Sequence, residues 1–325
     1  MQSISKFIKN NINLCAVIAV ALLLEMAIVV MFRTSLDMRS LRLLLLVAVG
    51  IGSLILCVVV YRNSRYLEKL RQADAEKQRI SSDLRATAEI QRMMLPPGHL
   101  LLDDVEVFGS QKPALEVGGD LFGYFIRDNK LFFCIGDVCG KGTAAAMLMA
   151  SVQTMLGAVS LHESNPARIA QIINEAASEG NEACLFVTLF IGVLDLSTGN
   201  FQYCNAGHTP PYILGSQLSE LPCDPNQPIG PFANAEFSLQ STTLAPGSTI
   251  FLYTDGVTEA QDPADQEFGP ERTKRVLNAC IEQQLKPEAI ANAVTDEVHR
   301  FTKDAPQSDD LTMLVVHYTP GSTAG

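Results

Sequence analysis

Charged residues are scarce in this sequence: Lys, Arg, Asp and Glu make up 18% of its 325 residues, whereas hydrophobic residues make up 47%. A composition this apolar excludes a largely disordered chain. The eight cysteines form no Cys-x-x-Cys pair, so neither a zinc site nor a disulfide framework is indicated. We therefore expect reduced, mostly buried thiols in a cytoplasmic domain.

Basic residues are especially few in the longer, C-terminal part of the chain. Residues 98–325 carry 11 basic and 28 acidic side chains, whereas residues 1–61 and 62–97 each have a net charge of +3. The net charge of −17 argues against nucleic acid as a ligand, because phosphate backbones need a basic face. Acidic domains often hold divalent cations, although surface carboxylates by default only keep a protein soluble.

Two uncharged or nearly uncharged runs lie near the N-terminus. Residues 14–32 contain one charge, Glu25, and residues 43–61 contain none. Each run can cross a hydrocarbon core of about 30 Å, and the first is too long for a signal-peptide core. We predict a two-helix transmembrane hairpin over residues 1–61. The basic residues outside the short connecting loop place both ends in the cytoplasm.

Glu25 is an intramembrane carboxylate in this prediction. Such a group costs on the order of 3 kcal/mol to insert and is a functional suspect by default. It is either a helix contact or signalling position, or a protonated side chain that a very apolar helix tolerates.

Residues 62–95 form a charged linker that favours helix and ends at Leu95-Pro96-Pro97-Gly98. Apolar residues occupy six of nine positions spaced alternately by four and three. This pattern permits a short coiled coil and a parallel homodimer. The polar Lys77, Thr87 and Gln91 weaken that seam, and a single amphipathic helix lying on its own domain is the alternative. The nine positions are Tyr66, Leu70, Ala73, Lys77, Ile80, Leu84, Thr87, Gln91 and Met94.

Residues 96–325 form the third region, with runs of strands and paired helices typical of an α+β fold. Periodicity and turn residues predict strands at 105–113, 120–126, 130–137, 184–195, 201–213, 249–254 and 311–318. They predict helices at 141–160, 166–178, 270–284 and 287–301.

Four acidic clusters lie near the ends of predicted strands, and three of them adjoin glycine. One such carboxylate is usually a helix cap or turn residue. Four on the solvated ends of neighbouring strands would repel one another unless cations lay between them. Oxygen-only ligation suits Mg²⁺ or Mn²⁺ rather than zinc. The clusters are Val117-Gly118-Gly119-Asp120, Gly136-Asp137-Val138-Cys139-Gly140-Lys141-Gly142, Tyr253-Thr254-Asp255-Gly256 and Ser308-Asp309-Asp310-Leu311-Thr312.

Together with other segments, these clusters resemble the bacterial PPM-type serine/threonine phosphatases of the sporulation stage II E branch, which include regulators of sigma-factor partner switching. The resemblance extends over about 230 residues. It begins at Ala88-Glu89-Ile90-Gln91-Arg92-Met93-Met94-Leu95-Pro96 and ends at Leu311-Thr312-Met313-Leu314-Val315-Val316. Between them lie Phe186-Val187-Thr188-Leu189, Asn205-Ala206-Gly207-His208-Thr209-Pro210-Pro211, Thr254-Asp255-Gly256-Val257-Thr258-Glu259-Ala260 and Phe268-Gly269-Pro270-Glu271-Arg272.

The resemblance implies a four-layer α-β-β-α sandwich with a centre of two Mn²⁺ or Mg²⁺ ions at one edge. Asp137 matches the carboxylate that bridges the two ions, and the backbone carbonyl of Val138 would coordinate one of them. Asp120, Asp255 and Asp309 match the remaining ligands, with Asp309 preferred over Asp310, which remains a possible accessory residue. The implied chemistry is direct hydrolysis by metal-activated water, in which Asp137 and Asp120 act through the metals.

The resemblance also implies a phosphorylated protein substrate, possibly an anti-sigma-factor antagonist. Lys141 could contact its phosphate, or it could be a surface residue at a helix start. Gly123 occupies a position where many relatives have a second Asp, and the resemblance implies that this difference weakens an accessory metal position. No His lies in the Asp137 motif, so the proton donor is unassigned, and His208 is expected to hold its turn. A catalytically silent scaffold or a receptor output module is the alternative function.

Overall fold

The computed structural model describes residues 38–320 continuously and residues 20, 22–23, 25–26, 28–30 and 33 individually. The chain divides into two compact units, Met1–Ser82 and Asp83–Gly325. In the first unit, most of the predicted span 14–32 lies outside the described residues. Glu25, which is described, is helical and exposed.

A single helix, α1 (Met38–Met94), contains the second predicted span and nearly all of the predicted linker. Within the described residues, its segment Arg42–Met94 is the one helix long and apolar enough to cross a membrane, and 6% of its most apolar window is buried. This assignment follows from the length and the composition of the helix. The predicted seam residues from Tyr66 to Ile80 are exposed, whereas Gln91 near the end of the helix is buried.

The strands of the second unit form two antiparallel sheets. The first sheet has the order β1-β2-β11-β10-β7-β8, and the second has the order β3-β4-β5-β6-β9. Their bounds are β1 (His99–Leu101), β2 (Val105–Lys112), β3 (Leu121–Arg127), β4 (Lys130–Val138), β5 (Val187–Asp195), β6 (Asn200–Ala206), β7 (Tyr212–Leu214), β8 (Leu218–Glu220), β9 (Gln240–Thr243), β10 (Thr249–Tyr253) and β11 (Leu311–Tyr318).

Two helix pairs cover the sheets. The helices α2 (Thr143–Val159) and α3 (Pro166–Ser178) pack on the second sheet in one apolar cluster. The helices α4 (Pro270–Glu282) and α5 (Pro287–Thr302) pack on the first sheet in another. A third cluster, which includes Phe190, Phe201 and Leu314, joins side chains of both sheets. The central strands are therefore buried on both faces, one packed on helices and the other on the opposite sheet.

Local signals explain several element boundaries. Helix α3 begins at Pro166 because the side chain of Asn165 accepts hydrogen bonds from the N–H groups of Ala167 and Arg168, which are the donors that a helix start leaves unpaired. The predicted helices and the strands 120–126 and 130–137 are confirmed to within two residues at each end.

The predicted strand 201–213 is wrong as a single element. The structure divides it into β6 in the second sheet and β7 in the first. Between them, Gly207 has φ 75°, and the Asn205 side chain pairs with both the N–H and the carbonyl of His208. This turn carries the chain from one sheet to the other. The predicted strand 184–195 begins at Val187 instead, since Cys184 has φ 50°.

Candidate active site

The predicted acidic residues lie at strand ends that belong to both sheets. Asp120 directly precedes β3, and Asp137 is the penultimate residue of β4. Asp255 begins a short 3-10 turn shortly after β10, and Asp309 and Asp310 directly precede β11. Each sheet therefore supplies two of the four positions that the sequence singled out.

Asp310 organises the loop before Asp120. Its buried carboxylate accepts hydrogen bonds from the backbone N–H of Ala114 at 2.8 Å and of Gly119 at 2.7 Å. Asp120, only 1% exposed, accepts a hydrogen bond of 2.8 Å from the Thr254 hydroxyl. The Asp310–Gly119 and Thr254–Asp120 contacts each join a segment beside one sheet to a segment beside the other, so the two halves of the acidic cluster are held in register.

Close backbone approach requires glycine at two points in this cluster. A Cβ atom on Gly256 would lie 1.9 Å from the backbone oxygen of Asp310, and one on Gly118 would lie 2.4 Å from its carboxylate. A side chain at either position would force the strand ends apart. The backbone oxygen of Val138 would lie 2.9 Å from a Cβ on Gly119, so this carbonyl faces the same loop.

Burial and mutual repulsion dominate the electrostatics of the cluster. Burial, followed by the charge of Asp137, raises the pKa of Asp120 well above its usual value. Burial and then the charge of Asp255 raise the pKa of Asp137 to about 7, with further increases from Asp309 and Asp310. Burial and the charge of Asp309 also raise the pKa of Asp255. Carboxylates that oppose one another's ionisation in this way are those that a cation would stabilise.

Lys141 provides the positive charge nearest to Asp309. Its ammonium group lies 3.0 Å from the Asp309 carboxylate and also donates to the backbone oxygen of Ser308. Both side chains are partly exposed, at 47% and 35%. Glu259, to which the sequence assigned no role, faces the same rim, where burial and the charge of Asp255 raise its carboxyl pKa.

The donor set fits a hard divalent cation, since it consists of carboxylate and carbonyl oxygens. Within the described residues, no three His, Cys, Asp or Glu side chains converge closely enough to chelate one ion by themselves. Mg²⁺ ordinarily binds through one or two carboxylates and keeps several waters. The arrangement therefore suits ions that are shared between carboxylates, a backbone carbonyl and water.

Sequence reasoning missed the residues that support this cluster from behind. Gln91, near the end of α1, donates to the backbone oxygen of Gly118 at 2.7 Å and accepts from its N–H at 3.2 Å. Its presence in the quoted family motif was the available signal, but its partner is 27 residues away. Thr188, opposite Asp137 in the β4–β5 ladder, lies 3.0 Å from the Nδ1 atom of His208.

Gly123 and Cys139 lie close to the acidic cluster and contact other parts of the fold. A Cβ on Gly123 would meet the sulfur of Cys134 at 3.0 Å and the amide of Gln153 at 3.1 Å, not a carboxylate. This position therefore faces α2, and the expected effect of Gly123 on an accessory metal position stays a prediction. The Cys139 thiol accepts a hydrogen bond from the Phe186 N–H at 3.1 Å, which is a packing role.

Comparisons with known proteins agree with this geometry. A family model described as Stage II sporulation protein E (SpoIIE) matches residues 127–319. Protein IcfG from Synechocystis sp. is 31% identical over 264 residues, which cover 72% of this chain and 41% of that protein. Phosphoserine phosphatase RsbU from Bacillus subtilis is 24% identical over 246 residues, covering 74% of this chain and 71% of that protein. The chain thus spans less than half the length of the first relative.

Solved structures show the same fold. The SiaA-PP2C domain of Pseudomonas aeruginosa superposes with a TM-score of 0.66 at 21% identity, over 75% of this chain and 99% of that one. RsbX, solved in complex with magnesium, superposes with a TM-score of 0.51 at 15% identity, over 68% of this chain and 98% of that one. The α+β fold of the PPM phosphatases, expected from the sequence, is confirmed.

Proposed function

The chain belongs to the Stage II sporulation protein E family and carries a PP2C-type phosphatase domain, and from this premise we propose that it is a metal-dependent phosphoprotein phosphatase. The reaction is hydrolysis of phosphoserine or phosphothreonine on a cytoplasmic regulatory protein. One observation carries the proposal: carboxylates from both sheets lie close enough to raise one another's pKa values.

The proposed ligands of two Mn²⁺ or Mg²⁺ ions are the carboxylates of Asp120, Asp137, Asp255 and Asp309 and the carbonyl of Val138. Asp137 would bridge the two ions, since it feels the charges of Asp255 and Asp309 and also contacts Asp120. Ions at this position supply Lewis-acid activation of water and neutralise charge on a phosphoryl group. The chain's own part is to hold these oxygens in a fixed arrangement before substrate arrives.

Asp310 is proposed as a positioning residue rather than as a ligand. Both of its carboxylate oxygens accept backbone N–H groups, so they orient the loop that presents Asp120. The Asp309 carboxylate accepts the N–H of its own neighbour Asp310 and pairs with Lys141. Lys141 is the proposed contact for the substrate phosphate, because its ammonium group is partly exposed beside Asp309.

The substrate would belong to a partner-switching pathway, with an anti-sigma-factor antagonist as the candidate class. Support comes from the resemblance of the domain to RsbU, which is named a phosphoserine phosphatase. The proposed substrate class rests on analogy with these relatives.

The protein is further proposed to be a multi-pass protein of the bacterial inner membrane, with its catalytic domain in the cytoplasm. The apolar segment of α1 supports one crossing, and residues 14–32 would supply the second. Exposed seam residues of α1, among them Tyr66, Leu70 and Ile80, support a homodimer through the linker. Membrane lipid is then the remaining partner.

A phosphate-release assay with the full chain in detergent and Mn²⁺ tests the enzyme proposal. We expect turnover of p-nitrophenyl phosphate, and we expect Asp137→Ala to lower kcat/KM at least about 10³-fold, equivalent to roughly 4 kcal/mol of transition-state stabilisation. Asp224→Ala removes an exposed carboxylate elsewhere and should leave the rate unchanged. Absence of turnover in the wild-type protein would favour the alternative, a catalytically silent phosphatase-like scaffold or a receptor output module.

A further inference from the structure

We propose that a basic cavity beside the acidic cluster binds an acidic segment of the phosphoprotein, an inference that rests on the proposed function. The cavity has a volume of about 190 Å³ and lies between the C-terminal part of α5 and the segment that leads into β11. Lys112, His299 and Lys303 form its basic side, and we call it the Lys112 cavity.

The lysines of the Lys112 cavity make no close ion pair within the described part of the chain, although Lys303 interacts electrostatically with Asp262. The Lys112 ammonium group lies 3.1 Å from the Nε2 atom of His299. Neither Lys112 nor Lys303 makes an ion pair within the described part of the chain, whereas Lys141, Lys274 and Lys286 each do. A carboxylate entering the cavity would therefore gain charge-assisted hydrogen bonds without breaking an existing close ion pair.

The wall of the cavity is the same segment that presents Asp309. The Gln307 amide donates to the backbone oxygens of Lys112 and Asp309, both at 2.8 Å. Ser308 and Gly256, the chain neighbours of Asp309 and Asp255, also line the cavity. A peptide with its phosphoryl group at the acidic cluster would therefore pass its flanking residues directly over the Lys112 cavity.

The charge of the surrounding domain makes this position selective. Residues 98–325 have a net charge of −17 and contain 11 basic residues, so most of the surface repels an acidic peptide. Lys112 and Lys303 place two of those basic residues in one cavity. An acidic segment would bind more tightly in the Lys112 cavity than on the rest of the surface. This preference would fix the orientation of the bound phosphoprotein.

The experiment uses the full chain in detergent with Mn²⁺ and two fluorescent phosphoserine peptides. One peptide has three Glu residues flanking the phosphoserine, and the other has Gln at the same places. Fluorescence anisotropy before Mn²⁺ is added gives Kd for each, and phosphate release after its addition gives kcat and KM. We expect the Glu peptide to bind about tenfold more tightly than the Gln peptide at low salt, with the difference shrinking at high salt.

Lys112→Gln and, as a second variant, Lys303→Asn should each weaken binding of the Glu peptide about fivefold without changing kcat or the Kd of the Gln peptide. Lys130→Gln is the matched control, since it removes a lysine at the turn of the β3–β4 hairpin on the other sheet. Equal affinity for the two peptides, or an equal effect of Lys130→Gln, would overturn the inference. Binding is read without turnover, so a chain that binds the Glu peptide selectively but releases no phosphate would overturn the proposed function and support the cavity.

Discussion

His208 is a buried histidine behind the β4–β5 end of the acidic site. Its ring contacts the Thr188 hydroxyl, and its backbone pairs with Asn205. Complete burial lowers the pKa of its imidazole to about 4. The ring therefore stays neutral in the folded protein at a pH where it would be charged in the unfolded chain. This supports the expected structural role of His208.

The folded protein should consequently lose the contribution of His208 as the pH falls. Because the folded pKa of about 4 lies below the usual 6.5, the unfolded chain binds the proton first. The contribution is complete above pH 6.5 and declines below it, by about 2 kcal/mol at pH 5. Urea unfolding of the wild type and of His208→Gln at pH 7.5 and 5.0 should show the gap between them narrowing by that amount. The contributions of other titrating groups cancel in this comparison. A difference in unfolding free energy that does not change with pH would contradict a neutral, buried His208.

At this scale the sequence predicts the carboxylates well and their supports poorly. Asp120, Asp137 and Asp255 lie beside glycine and near apolar strands, so a local pattern marks them. The Thr254 hydroxyl reaches Asp120 across 134 residues of chain. No local pattern encodes such a contact, because it depends on how two sheets meet.

The last turn of α1 is the element that reaches the acidic loop. Sequence periodicity placed Gln91 in a coiled-coil seam, where a polar residue is a defect. In the structure its amide pairs with both backbone groups of Gly118 and lies 3.7 Å from the sulfur of Met149. This end of the helix therefore packs on its own domain, and the prediction of a seam position at Gln91 is wrong.

Replacing Gln91 should disturb the site through Gly118. Gln91→Ala leaves a buried N–H and carbonyl unpaired, at a cost of about 2 kcal/mol. The displaced loop should raise the Mn²⁺ concentration for half-maximal activity about tenfold, as loss of a ligand-orienting contact does. Metal titrations and thermal unfolding measure both effects. Gln171→Ala removes an exposed amide of α3 and serves as the control; equal metal dependence in both variants would contradict the role.

Elements with strong periodicity were predicted more accurately than short ones. The helices α2 to α5 combine apolar stripes with start signals such as Asn165 and Pro166. The three-residue strands β1 and β8 have no room for a periodic pattern, so pairing with a neighbouring strand defines them. The division between β6 and β7 follows from a turn whose side-chain hydrogen bonds are visible only in three dimensions.

On the scale of the whole molecule, residues 83–325 have their own apolar clusters and should fold alone. Expressed without residues 1–82, they should remain soluble and unfold in one cooperative transition.

The full chain should sediment with membranes and resist extraction by high salt, since an apolar helix inserts independently of ionic strength. Recovery of the full chain in the soluble fraction would contradict the anchor.

Because the acidic residues come in equal number from the two sheets, any ion held among them also ties one sheet to the other. Affinity for that ion then depends on how the sheets are aligned, and alignment in turn depends on whether the ion is bound. A small shift of one sheet relative to the other would lower the affinity for the ion before the domain unfolds. In this fold, affinity for the ion and the alignment of the two sheets would therefore change together.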